Sequence, residues 1–368
     1  MSTPTALETL QQLLAPAGGG IHVVSTGLTA TKALQRSIYG AARDEDIADA
    51  WKAKLATIAS AKVALLGVPS DTGAGFVRGA NQGPSQIRNF LLADTQHEIH
   101  KQGVVDVGDV RVIPHLLSAE MISEPQRSRC RDALYGDPKA ELPVAPLDQC
   151  ELALHCLREL NPDIVPVVIG GDHSVGWPAF RACQLWAERN DRRIGLLHFD
   201  AHTDLLKERL GVRYCFATWA YHANELLDRD GRLVQVGIRA SGKTKEHWES
   251  TLGVRQYWPD EYQSKSTADM VDEIAQRFGE RKVDCLYISN DIDGTDSAFA
   301  SATGTPESNG LHPDQVSELS IELGARFPLV GADLVEVAPP LASNQPNEPE
   351  TTMQTASRYL GDLIALAR

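Results

Sequence analysis

From about residue 60 onward, short apolar runs alternate with longer amphipathic stretches along the chain. The apolar runs cover 63–68, 104–107, 165–169, 194–199, 233–238, 254–257, 285–289 and 329–337. Most are continuously apolar rather than alternating, the pattern of strands covered on both faces by helices. The stretches 148–160, 177–188, 269–278, 313–325 and 350–367 predict helices between them. Strand followed by helix, repeated, predicts an α/β fold with a parallel sheet and helices on both sides.

The first sixty residues read as an N-terminal helical extension, with helices over 6–14 and 44–59 separated by a Gly-rich stretch. Residues 61–368 then form the main domain. Residues 111–147 are rich in Pro, Arg, Asp and Glu and read as a surface insertion. Neither an internal repeat nor a low-complexity tract interrupts the pattern.

Composition narrows the partners. The chain has 368 residues, enough to bury a large core. It carries 49 acidic against 35 basic residues, a net charge of −14, which disfavours nucleic acid and anionic membrane surfaces. No apolar run approaches the roughly 18–20 residues needed to span a bilayer. The N-terminus carries Glu8 and no basic patch before an apolar stretch, so a secretory signal is not expected and the reading is cytoplasmic. The six cysteines (Cys130, Cys150, Cys156, Cys183, Cys215, Cys285) include no C-x-x-C pair and read as free, mostly buried thiols.

Three segments that follow predicted strands carry the chemistry. Ligands in open α/β sheets bind beyond the carboxyl ends of the strands. Gly170-Gly171-Asp172-His173-Ser174 turns sharply and presents a histidine. His198-Phe199-Asp200-Ala201-His202-Thr203-Asp204 places Asp200, His202 and Asp204 on one face if strand geometry persists, because side chains alternate with period two. Ser289-Asn290-Asp291-Ile292-Asp293 supplies a second i, i+2 carboxylate pair after an apolar run. Buried charges are tolerated when they are paired or coordinate metals.

His173, Asp200, His202, Asp204, Asp291 and Asp293 are therefore the candidate metal ligands. Four carboxylates and two imidazoles, with no thiolate, suit two hard divalent ions, Mn2+ before Ni2+, Co2+ or Fe2+, none of which the ligand set excludes. An ion pair of this kind makes hydroxide available near neutral pH.

These residues resemble the ureohydrolase family: arginases, agmatinases, guanidinobutyrases and formimidoylglutamases. The resemblance covers roughly residues 60–368. It runs through Gly67-Val68-Pro69, Arg78-Gly79-Ala80 and Gly83-Pro84, then the segments at 170–173, 200–204 and 289–296. Thr303-Gly304-Thr305-Pro306 and Asp333-Leu334-Val335-Glu336-Val337 complete it. The resemblance implies a three-layer αβα fold with an eight-stranded, mostly parallel sheet and an Mn2+ pair at its C-terminal edge. It further implies hydrolysis of a C–N bond in a linear guanidino or amidino substrate, and a homo-oligomer, trimer or hexamer. By position, His173 and Asp204 would hold one ion, His202 and Asp293 the other, with Asp200 and Asp291 bridging. Asp204 would also orient the hydroxide, and Glu336 would bind the cationic substrate group.

The departures bear on the substrate. Many relatives carry a proton-shuttling histidine in the loop some ten residues after Asp-Ala-His-x-Asp. Here that loop reads Tyr214-Cys215-Phe216-Ala217-Thr218-Trp219, with Phe216 in the histidine's place. A phenyl ring transfers no protons. Tyr214 and His222 are the nearby candidates for that task, and Phe216 and Trp219 are expected to touch substrate. Leu206 and Ala240-Ser241-Gly242-Lys243 stand where arginases recognise an amino-acid end, which disfavours arginase itself. Arg239, Lys243 and Lys245 would suit a carboxylate on the substrate. The reading is an agmatinase- or guanidinobutyrase-like hydrolase. The alternatives are a formimidoylglutamase-like enzyme and a metal-binding homologue without catalysis.

Overall fold

The computed structural model describes residues 4–21, 27–75, 77–93, 102–342 and 346–368. Nine strands form one sheet: β1 (Leu14–Ala15), β2 (Val63–Val68), β3 (Val104–Val110), β4 (Val165–Gly170), β5 (Ile194–Phe199), β6 (Leu233–Val236), β7 (Arg255–Tyr257), β8 (Cys285–Asp291) and β9 (Leu329–Val335). Their order across the sheet is β1-β3-β2-β4-β9-β8-β5-β6-β7. All pairings are parallel except β1 with β3.

The eight strands expected from the apolar runs are all present. The ninth, β1, is two residues long, too short to show as a run, and pairs antiparallel along the β3 edge. Helices pack on both faces, giving the three-layer αβα architecture. One apolar layer is built around Leu66, Phe180, Leu196 and Tyr287, the other around Leu65, Phe199, Ile274 and Leu360. Successive residues such as Leu65 and Leu66 enter opposite layers, which is why these strands read as continuous apolar runs.

The N-terminal extension packs into the first of these layers through Leu10, Leu13, Leu34 and Trp51. Its residues 1–3 and 22–26 lie outside the described ones. The insertion at 111–147 contains the helix Glu124–Tyr135 and a small apolar cluster of Ile122, Cys130, Val144 and Ala145. All six cysteines are free and buried. No helix among the described residues is long and apolar enough to cross a membrane.

Four adjacent strands at the middle of the sheet, β4, β9, β8 and β5, end on the same edge. Each delivers one chemical segment: His173 after β4, Glu336 after β9, Asp291 and Asp293 at the end of β8, and Asp200 to Asp204 after β5.

Candidate metal centre

The chemistry begins where the strands end. β5 ends at Phe199, so Asp200, His202 and Asp204 do not share a face through strand alternation as the sequence suggested. Turns bring them together instead. In each of three segments a carboxylate accepts the backbone N–H two residues on: Asp172 from Ser174 (2.8 Å), Asp200 from His202 (2.5 Å) and Asp291 from Asp293 (3.0 Å). Short Asp side chains stabilise such turns directly, which explains the recurring Asp-x-polar spacing. Gly294 lets the β8 turn lie against the β5 turn, since a Cβ there would sit 2.7 Å from the Asp200 nitrogen.

The six expected ligands converge. His173 Nδ1 lies 3.2 Å from Asp200 Oδ2, 3.3 Å from Asp204 Oδ2 and 3.0 Å from Asp291 Oδ2. His202 Nδ1 lies 3.1 Å from Asp293 Oδ2 and 3.4 Å from Asp200 Oδ1. Two groupings with ligand-like spacing follow: His173, His198, Asp200 and Asp204, and then Asp200, His202 and Asp293. They share Asp200, which turns one oxygen to each.

The donor set fits divalent cations on electrostatic grounds. Burial, then Asp200, pushes Asp204 well above the usual carboxylate range, and burial, then Asp293, does the same to Asp291. Burial alone would lower the histidines. Yet Asp200 and Asp291 raise His173, and Asp293 and Asp200 raise His202. Asp200 is held low, against its burial, by His173, His198 and His202. Protons on these groups do the work that positive ions would do, and among the described residues no Lys or Arg pairs with any of the four carboxylates.

His173 carries its own orientation signal. Its Nε2 meets Ser289 Oγ at 2.9 Å, and that hydroxyl donates to Asp333 Oδ1 at 2.8 Å. The serine therefore accepts from His173 Nε2–H, which leaves Nδ1 facing the three carboxylates, where a proton bridges them in the absence of an ion and a cation would take its place.

Asp204 and Glu336 both adopt the left-handed backbone region, with φ of 51° and 60°. Non-glycine residues rarely do so, and such strain concentrates at functional sites. Glu336 Oε1 accepts from the His173 backbone N–H at 2.9 Å, and burial, then Asp291, holds its pKa well above normal. Thr305 Oγ1 donates to Asp293 Oδ2 at 2.9 Å, so the 303–306 segment braces the second grouping.

Several expectations change. Trp219 is fully buried, donates its indole Nε1–H to Asp204 Oδ2 at 3.0 Å and packs 4.6 Å from His173. It supports the ligands from behind instead of facing substrate. Tyr214 stacks on Trp177 at 5.0 Å, and His222 packs against the same pair while its Nε2 meets the Lys207 and Arg213 carbonyls. Neither is among the residues that line the cavity beside the ligands. Arg239 spends its guanidinium on backbone carbonyls, including those of Asp293, Gly294 and Thr295, and Lys245 pairs with Glu261.

The cavity itself, about 290 Å³, opens through His202, whose side chain is 28% exposed while those of the other five ligands are 5% or less. Phe216 forms one wall, against Gly75 and beneath the Arg209 guanidinium 5.1 Å from its ring. Arg209 and Lys243 are the charged lining residues besides the ligands His202 and Asp204. Sequence reasoning passed over His198, whose Nε2 lies 2.8 Å from Asp200 Oδ2, although it stands two residues before that aspartate.

Comparison with known proteins places this geometry. A family model described as the arginase family matches residues 61–365. The guanidinobutyrase of Pseudomonas aeruginosa is 32% identical over 289 residues, covering 75% of this chain and 79% of that protein. A mitochondrial agmatinase of Gallus gallus is 34% identical over 288 residues, covering 75% and 74%. Among solved structures, proclavaminate amidino hydrolase from Streptomyces clavuligerus superimposes with a TM-score of 0.64 at 27% identity, covering 83% of this chain and 91% of that one.

Proposed function

The chain belongs to the arginase family and is a hydrolase of guanidino compounds, acting on amidine C–N bonds; on that premise we propose that it works with two Mn2+ ions on a short linear substrate bearing a carboxylate tail. The observation that carries the metal reading is the shared Asp200, with one oxygen toward His173 and the other toward His202. In this reading His173, Asp204, His202, Asp293, Asp200 and Asp291 would hold the two ions, with Asp200 shared between them. When bound, such a pair supplies hydroxide near neutral pH and polarises the electrophile.

The remaining roles belong to this chain's own groups. Asp204, oriented by the Trp219 indole, is placed to accept a hydrogen bond from the attacking water. Glu336, anchored on the His173 backbone, offers its second oxygen to the positively charged amidine carbon group. Phe216 walls the cavity and keeps solvent from that side. Arg209 and Lys243 favour an anionic tail over the second ammonium of agmatine.

A substrate screen tests this. Metal-reconstituted protein is offered guanidinobutyrate, guanidinopropionate, agmatine, arginine, guanidine and formiminoglutamate, with urea, ammonia or formamide as readout. Preference for a guanidino acid is the expected result. Preference for agmatine refutes the role given to Arg209 and Lys243. Preference for formiminoglutamate supports the second reading, an acidic formimino substrate, which the same two cations favour.

A further inference from the structure

His198 poses a question that the metal ligands do not answer. Its Nε2 lies within ligand-like spacing of His173, Asp200 and Asp204, so by position it is a third imidazole available to an ion. A row of buried polar side chains on the neighbouring strands decides otherwise. Strand register sets His198 of β5 opposite Gln235 of β6, and Gln235 opposite Gln256 of β7. All three are completely buried.

The hydrogen bonds along this row have one consistent direction. The Trp258 indole, which can only donate, gives its Nε1–H to Gln256 Oε1 at 3.0 Å. Gln256 must then present Nε2, and donates to Gln235 Oε1 at 2.8 Å. Gln235 in turn presents its Nε2, which donates to the Thr203 carbonyl at 2.7 Å and faces His198 Nδ1 at 2.9 Å. A carbonyl can only accept, so both ends of the row are pinned by groups with a single role. His198 Nδ1 is therefore an acceptor, and its proton sits on Nε2, 2.8 Å from Asp200 Oδ2. A protonated ring nitrogen has no lone pair for a metal.

We propose that Gln235, held by Gln256 and Trp258, fixes His198 as a hydrogen-bond donor to Asp200 and so keeps it out of the metal's ligand set. Gln235 is a positioning residue: it reaches the site only through His198. Its amide sets how many imidazoles the centre has, and it leaves Asp200 both oxygens oriented for bridging. The metal half of this inference rests on the reading of Asp200 as a bridging ligand; the tautomer half does not.

The test separates the two. Full-length protein labelled with 15N-histidine is examined metal-free and loaded with diamagnetic Zn2+, with His198 assigned by comparison with His198→Gln. Wild-type protein is expected to show the Nε2–H tautomer in both states. Gln235→Met, and the milder Trp258→Phe, which cuts the row at its far end, are expected to populate the Nδ1–H form. Zn2+ affinity by calorimetry is expected to shift about tenfold or more in Gln235→Met, because His198 Nε2 then offers the ion a lone pair in place of the hydrogen bond it gave Asp200, and less in Trp258→Phe. Circular dichroism checks that each variant is folded. If Gln235→Met does not fold, Trp258→Phe alone decides the matter by its tautomer. An Nδ1–H ring in the wild-type protein, or variants that leave both tautomer and affinity unchanged, overturns the proposal. An Nε2–H ring in a wild-type chain that binds no divalent ion overturns the metal reading and upholds the tautomer assignment.

Discussion

Two buried clusters of charge lie in this sheet, and they are built on opposite principles. On the β2–β3 side, Arg88 is completely buried between Asp106 and Asp109, with guanidinium contacts of 2.7 and 2.5 Å. Asp106 takes two of its donors and Asp109 a third, while Asp109 also accepts the Gly18 N–H at 2.7 Å and ties the N-terminal segment to β3. There the chain supplies its own cation. At the ends of β4, β5 and β8 four carboxylates converge with histidines alone, and their pKa values are driven apart in both directions. Carboxylates beside a guanidinium form a finished structural joint. Carboxylates beside imidazoles, with no guanidinium or ammonium among them, are in the proposed reading completed by a pair of divalent ions.

The largest effect that sharpens this contrast is in the unfinished cluster. Asp200→Asn or Asp291→Asn is expected to lower turnover by a factor on the order of 10³ or more, because the ion pair contributes several kcal/mol to the barrier. Thermal stability of the metal-free protein should hold or rise in Asp291→Asn, whose carboxyl is pushed up by burial and Asp293, and fall in Asp200→Asn, whose carboxylate three histidines stabilise. Variants that still release urea, ammonia or formamide at the wild-type rate would remove the site from the mechanism.

Arg88→Met tests the finished cluster and should behave in the reverse way. It strands two buried carboxylates and is expected to cost about 3–5 kcal/mol of stability, read by denaturant unfolding. A chelator sharpens the same difference: it should lower the melting temperature of the wild-type protein through loss of bound metal. It should do the same for Arg88→Met, because the Arg88 cluster holds no ion.

Smaller effects probe the surroundings of the metal centre. Trp219→Phe keeps the packing on His173 but removes one hydrogen bond to Asp204, a bond to a charged group worth about 1.5–3 kcal/mol. Turnover is expected to drop about tenfold or somewhat more, with little change in KM; a KM effect alone would return Trp219 to the role of substrate contact. Lys243→Ala should raise KM for a guanidino acid about two- to fivefold, and leave KM for guanidine unchanged.

Most of the fold was legible because each buried strand is a run of apolar residues with helices packed on both its faces. The runs at 63–68 and 194–199 coincide with β2 and β5 to the residue. β1 was not, since two residues carry no periodicity and only their pairing with Asp109 and Val110 makes them a strand. The Asp-x-polar spacings pointed to the right residues for an incomplete reason: turns closed by Asp side chains, not strand alternation, aim them. In the loop at 214–219 no periodicity marks which side chains face inward, so the sequence does not show that Trp219 is buried against the ligands while Phe216 walls the cavity. The row Trp258, Gln256, Gln235, His198 was invisible for a plainer reason. His198, Gln235 and Gln256 lie on three strands, far apart in the chain, with Trp258 just beyond the last, and only the sheet order sets the three strands side by side.

The central claim is that the carboxylates gathered around Asp200 are completed by two divalent ions that share it. Purified protein, stripped with chelator and reloaded with Mn2+, should show two ions per chain by elemental analysis, antiferromagnetic coupling between them in its electron paramagnetic resonance spectrum, and loss of that coupling in Asp200→Asn. A single ion per chain, two uncoupled ions, or an Asp200→Asn variant that keeps the coupled pair would contradict it.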